Sequence, residues 1–177
     1  MYFINVYFLC FLPEEDIAFL LNEEITFIPE EEMDVKYLGL TNIDDNICLI
    51  DSATTHTILK HKKYFSHLNM GEINVNTICG SAKLIEGSGR ATIYLPEGTK
   101  IMIPNALLST KSRRNLLSFK DIRRNRYHLE TINETNAEYL LITNTISGKK
   151  CVLEKLPSLS SGLYYTKISA AEINHLE

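Results

Sequence analysis

The run Ile47-Cys48-Leu49-Ile50-Asp51-Ser52-Ala53-Thr54 delivers a carboxylate at the end of an apolar stretch and follows it with a hydroxyl residue and a small apolar one. Such a carboxylate can do acid–base chemistry when a second one is pressed to about 3 Å from it, because the two then share a proton and titrate as a unit. One member acts as base toward water while the other, protonated, polarises a carbonyl. The same residues also fit an Asx-turn that closes a strand, with Ser52 and Thr54 as further turn residues.

Two other groupings carry possible chemistry. His56, His61 and His67, with Cys48 and Cys79, match neither the paired-ligand nor the knuckle spacings of zinc sites, so no metal is expected. Lys111, Arg113, Arg114, Lys120, Arg123, Arg124 and Arg126 fall within 16 residues and are opposed there only by Asp121. That density can attract nucleic acid, or it can be a solvated face that offsets acidic residues elsewhere. Neither an aromatic stacking motif nor a basic pI of the chain (5.8) supports the first use, which makes it secondary.

Short strands must position these residues. Apolar and β-branched runs alternate with turn residues and predict strands at 47–50, 74–79, 82–86, 90–95, 99–103, 106–109, 126–132, 138–143, 150–155 and 163–167. Pro96-Glu97-Gly98 reads as a tight hairpin, and Asn133 to Asn136 and Ser147-Gly148 as the turns of a meander. A helix is expected over Leu116 to Arg124, with Leu116, Leu117, Phe119 and Ile122 on about one face. The class is mainly β.

A chain of 177 residues, 45% of them hydrophobic, can bury roughly 70% of its unfolded surface in one core. Charge divides the chain: up to Ile50, 11 acidic residues face Lys36 alone, a net of −10, and beyond it 11 acidic residues face 17 basic ones, a net of +6. Glu30, Glu31, Glu32 and Asp34 read as an acidic linker, and a short helix is expected after Pro13. This divides the chain into an acidic arm at 1–45, a compact domain at 46–168 and a tail at 169–177. Cys10, Cys48, Cys79 and Cys151 include no C-x-x-C pair, which suits reduced thiols inside a cell. Met1 to Leu12 is apolar but has no basic lead-in and is shorter than the roughly 20 residues of a span, so it reads as a strand or as the point where a longer chain was cut.

The Asp51 run resembles the hydrophobic-hydrophobic-Asp-Thr/Ser-Gly motif of retropepsin-like aspartic proteases. In its longer form, Asp51-Ser52-Ala53-Thr54-Thr55-His56 is similar to the Asp-Ser-Gly-Ala-Thr-x-His stretch of copia-type retrotransposon proteases. Further resemblances follow in order. Gly87-Ser88-Gly89-Arg90-Ala91-Thr92-Ile93 is similar to the return strand of a retropepsin flap, and Pro104 to Leu108 to the apolar stretch that follows. Asn115-Leu116-Leu117-Ser118-Phe119 resembles the family's Asn-Leu-Leu/Ile-Ser segment, and Ser161-Gly162-Leu163-Tyr164-Tyr165 the Gly-Leu-Tyr-Tyr that closes the module. Two positions depart from the pattern. Ala53 stands where the family has Gly, which costs about 1 kcal/mol if the backbone there needs positive φ and nothing if φ is negative. His56 comes one place early, so no role is carried over to it.

The resemblance implies a retropepsin-like closed β-barrel with one short helix, a C-terminal β-meander and an N-terminal acidic arm. Asp51 would be the catalytic carboxylate, Ser52, Ala53 and Thr54 would support its loop, and Gly87, Ser88 and Gly89 would belong to a flap. Because the chain has a single Asp-Ser/Thr-small motif, the second carboxylate must come from another copy, so an isologous homodimer is the active form the resemblance implies. The substrate implied is a polyprotein peptide of the Gag-Pol kind, cut in the cytoplasm or inside virus-like particles, with no metal or organic cofactor and no membrane. Two rivals remain: a barrel that has lost cleavage and only dimerises or binds peptides, and a nucleic-acid-binding protein acting through residues 111–126.

Overall fold

The computed structural model describes residues 45–77, 80–135, 137–159 and 162–171. The expected helix after Pro13 and the acidic linker lie outside them, as do Cys10 and Cys79. The chain is mainly β. Its elements are β1 (Ile47–Asp51), β2 (Ile58–Leu59), a 3-10 turn (Lys62–Tyr64), β3 (Phe65–Thr77), β4 (Gly80–Tyr94) and β5 (Lys100–Leu108), then β6 (Asn115–Ser118) and α1 (Phe119–Arg124). A meander of β7 (His128–Glu134), β8 (Ala137–Ile146) and β9 (Lys149–Pro157) follows, and β10 (Tyr164–Lys167) and β11 (Ser169–Ala170) end the described chain.

The larger sheet pairs in the order β10-β1-β6-β2-β5-β4-β11, with β3 also on β4. Its hydrogen-bonded ladder is an open path, whereas a closed one was expected. The two strands at its ends are consecutive pieces of one bent segment, joined by Ile168, so they cannot pair with each other. Ile168 N–H donates instead to Asn46 O at 2.9 Å. The second sheet is the expected meander, β7-β8-β9. Its Ser147-Gly148 turn has both residues at positive φ (52° and 75°), the geometry of a two-residue hairpin whose twist matches the strands.

Alternation of side chains divides the core. On β1, β2 and β6, Cys48, Ile50, Leu59 and Leu117 face the main cluster, which also holds Ile93, Ile101, Ile103 and Ile122. Their neighbours Leu49, Ile58 and Leu116 face a smaller cluster with Ile85 and Leu107. The middle of this sheet is therefore buried on both sides, which is why all four residues of β6 are apolar or hydrogen-bonded internally. Leu140, Ile142 and Leu156 of the meander enter the main cluster, so the two sheets share one core.

Two polar contacts reinforce that union. The Glu154 carboxylate on β9 is buried and accepts the backbone N–H of Glu97 and of Thr99, each at 3.2 Å, in the turn between β4 and β5. Tyr164 OH on β10 donates to Glu138 Oε1 on β8 at 2.5 Å. That β4–β5 turn is the expected Pro96-Glu97-Gly98 hairpin, with Gly98 at φ +86°.

Residues 116–118 correct the expectation of a helix from Leu116. They are strand, because β6 finds backbone partners on both sides, parallel on β1 and antiparallel on β2, and these outweigh the helical spacing of its leucines. Helix begins only at Phe119, where Ser118 Oγ accepts Lys120 N–H at 3.2 Å as an N-cap. At its other end, the Asn125 side chain accepts Met102 N–H and donates to Met102 O, both at 2.9 Å, and so docks the helix on β5.

Candidate functional site

β1 and β2 are consecutive strands, yet β6 lies between them. The connection from Asp51 to Thr57 must therefore pass around the end of β6, and the polar groups of that end hold it. Asp51 stands opposite Ser118 in the parallel β1–β6 register. Ser118 Oγ donates to Thr54 O at 2.7 Å, and Ser118 N–H donates to Thr57 Oγ1 at 3.2 Å. Thr57 Oγ1 in turn donates to Asp121 Oδ2 at 2.7 Å, with Thr57 N–H on the same oxygen at 3.3 Å. Ser118, Thr54, Thr57 and Asp121 are all buried.

This frame leaves the start of the loop in solvent. Asp51 is half-buried, Ser52 and Ala53 are exposed, and Ala53 N–H donates to Asp51 Oδ1 at 2.8 Å. Among the described residues the non-glycine ones with positive φ are Arg126, Thr135 and Ser147, so Ala53 sits in its turn without backbone strain. The contact is an Asx-turn in form. It also fixes one carboxylate oxygen and leaves the other for a partner.

His56 follows in the same loop, its Nδ1 3.0 Å from Thr55 Oγ1. Burial, then the charge of Lys120 and that of Arg124, hold its pKa below the ordinary imidazole value, against the opposing charge of Asp121. The loop thus faces α1, whose Lys120 Nζ lies 3.5 Å from Thr55 O.

Gly87, Ser88 and Gly89 lie on β4, the returning strand of the long β3–β4 hairpin, between Met70, Asn69 and Leu68 on one side and Leu108, Leu107 and Ala106 on the other. A Cβ on Gly89 would stand 1.9 Å from His67 O, and one on Gly87 2.7 Å from Asn69 O. These glycines are needed for close backbone approach. Leu107 N–H donates to Thr57 O at 2.9 Å, so the segment is set one strand away from the end of the Asp51 loop.

Sequence reading missed Thr57 and Asp121, which lie 64 residues apart and meet only in the fold. One signal was available: Ser118-Phe119-Lys120-Asp121 has the hydroxyl-x-x-acid spacing of a helix start, which marks both the true boundary and the acid that closes it. Among the described residues, no three His, Cys, Asp or Glu side chains are grouped so that they could hold a metal. No helix among them is long and apolar enough to cross a membrane.

Residues 48–127 match the family described as Pol polyprotein, beta-barrel domain. The match takes in β1 through α1 and stops at Tyr127, before the meander. It supports an origin in a Pol polyprotein. No curated protein and no solved structure matches the chain.

Proposed function

We propose that this chain is a retropepsin-like aspartic endopeptidase module of a copia-type Pol polyprotein, active as a homodimer. The observation that carries the reading is the Asp51 loop. One carboxylate per chain is presented at a strand end, oriented by Ala53 N–H and backed by a buried, hydrogen-bonded frame of Thr54, Thr57, Ser118 and Asp121. The Pol-polyprotein match over this same region supports it. Rigid support of this kind is what a proton-sharing pair requires, because a shift of a few tenths of an ångström changes the distance on which the sharing depends.

In this mechanism Asp51 and its symmetry mate hold one proton between them. The ionised partner takes a proton from water as the water attacks the peptide carbonyl, and the protonated partner donates to the carbonyl oxygen. The resulting tetrahedral intermediate collapses to acid and amine, with the proton returned to the leaving nitrogen. Purified protein is expected to cleave unstructured peptides at a rate that rises with protein concentration, and Asp51→Asn is expected to abolish the cleavage. A folded, dimeric protein that cleaves nothing between about pH 3 and 7 would refute the reading and favour a binding remnant of the fold.

A further inference from the structure

We propose that the Asp51 end of this chain selects extended peptides bearing acidic side chains, with Lys120 and Arg124 as the counter-charges. The inference rests on the peptide-hydrolysing reading above and specifies its substrate.

The basic run between 111 and 126 does not form one track. Its members are split by β6, four residues long, which sets the two groups about 13 Å apart. Arg113 and Arg114, at the start of β6, are half-buried, and Arg114 sits in the field of Asp45. Asp45 is itself paired with Lys60. At the other end, Lys120 and Arg124 are exposed on α1 and both act on His56 in the Asp51 loop. Asp121, the one acid on α1, is buried and engaged with Thr57, although Arg124 Nη1 still lies 3.7 Å from its Oδ1. Apart from Asp51 itself, the accessible charge that α1 brings to this loop, at Thr55 and His56, is therefore positive.

Spacing selects the ligand. Lys120 and Arg124 are four residues apart on a helix, which puts their stems about 6 Å apart on one face. Alternate side chains of an extended peptide stand about 6.6 Å apart on one side of the chain. Two cations so placed match carboxylates at alternate positions of a peptide strand. A nucleic acid would need a longer continuous track than the short helix end on which Lys120, Arg123, Arg124 and Arg126 are exposed, and the division at β6 keeps Arg113 and Arg114 from extending it.

The test uses full-length Asp51→Asn protein, so that binding is read without turnover, and three fluorescein-labelled dodecapeptides with Glu, Gln or Lys at two alternate positions. Anisotropy is expected to show the Glu peptide binding about three- to tenfold tighter than the Gln peptide, the range of two partly exposed ion pairs. The gap should close as salt is raised. Lys120→Glu should remove it and Arg124→Gln should reduce it, the latter serving if the former does not fold. Lys149→Glu, the same charge change on the exposed start of β9, should leave it intact. Equal binding of the Glu and Gln peptides, an equal loss with Lys149→Glu, or displacement of the peptide by a thymidine 20-mer at lower concentration would each overturn the proposal. Cleavage by the unsubstituted protein separates the two readings. Equal cleavage of all three peptides sinks the selectivity alone, whereas no cleavage, with Lys120-dependent binding intact, sinks hydrolysis alone.

Discussion

Ser118 and Asp51 stand opposite each other at the ends of two parallel strands, and the hydroxyl of Ser118 holds the carbonyl of Thr54, three residues past the carboxylate, at 2.7 Å. The strand that neighbours Asp51 is thus also the post around which its loop is tied. Ser118→Ala removes that bond together with the cap on Lys120 N–H, and leaves a buried carbonyl unpaired. A loss of about 2 kcal/mol in stability is expected by urea unfolding, with peptide cleavage falling further than stability because the loop itself loosens. A variant as stable as the parent would show that the frame is not needed.

Gly89→Ala should be among the most damaging single substitutions in the chain. Its Cβ would stand 1.9 Å from the backbone oxygen of His67, so β3 and β4 must separate, at a cost of about 3 kcal/mol or more. Gly98→Ala meets no atom within 4 Å and strains only its positive φ, costing about 1 kcal/mol. Thermal unfolding of the two variants side by side should rank them in that order.

Glu154 ties the meander to the β4–β5 turn. Glu154→Ala strips acceptors from two backbone N–H groups and is expected to cost about 2–3 kcal/mol, while Glu154→Gln keeps one oxygen and costs less. Hydrogen exchange at Glu97 and Thr99 should speed up in the alanine variant.

His56 makes the loop sensitive to acid. Its folded pKa lies below the ordinary value of 6.5, so folding favours the neutral ring. The stability this contributes is fully present above about pH 6.5 and is lost as pH falls through the lowered folded pKa. Unfolding curves between pH 7 and 5 should therefore fall less steeply for His56→Gln than for the parent, and identical slopes would contradict the assignment.

Much of this arrangement was legible in the residues. The apolar strand ending at Asp51, the Pro96-Glu97-Gly98 turn and the meander follow from alternation and turn chemistry. What failed to read is long-range pairing. Leu116 and Leu117 have helical spacing with Phe119 and Ile122, and only the placement of β6 between β1 and β2 makes them strand. The start of β3, from Phe65 to Asn69, gave no strand signal, because its apolar residues Phe65 and Leu68 stand three apart rather than alternating and its order comes from a register with β4 that needs glycine at 87 and 89. Glu154 occupies an inward position on β9, where charge is unexpected until its two backbone donors are seen.

The most direct test of the central claim is a mixing experiment in which Asp51→Asn chains replace unsubstituted chains at constant total concentration. If one Asp51 from each of two chains forms the reacting pair, mixed dimers are inactive, and an equal mixture should cleave peptide at about one quarter of the parent rate. A rate of one half would mean that each chain acts alone, and no cleavage at any ratio would mean that Asp51 is a turn residue only.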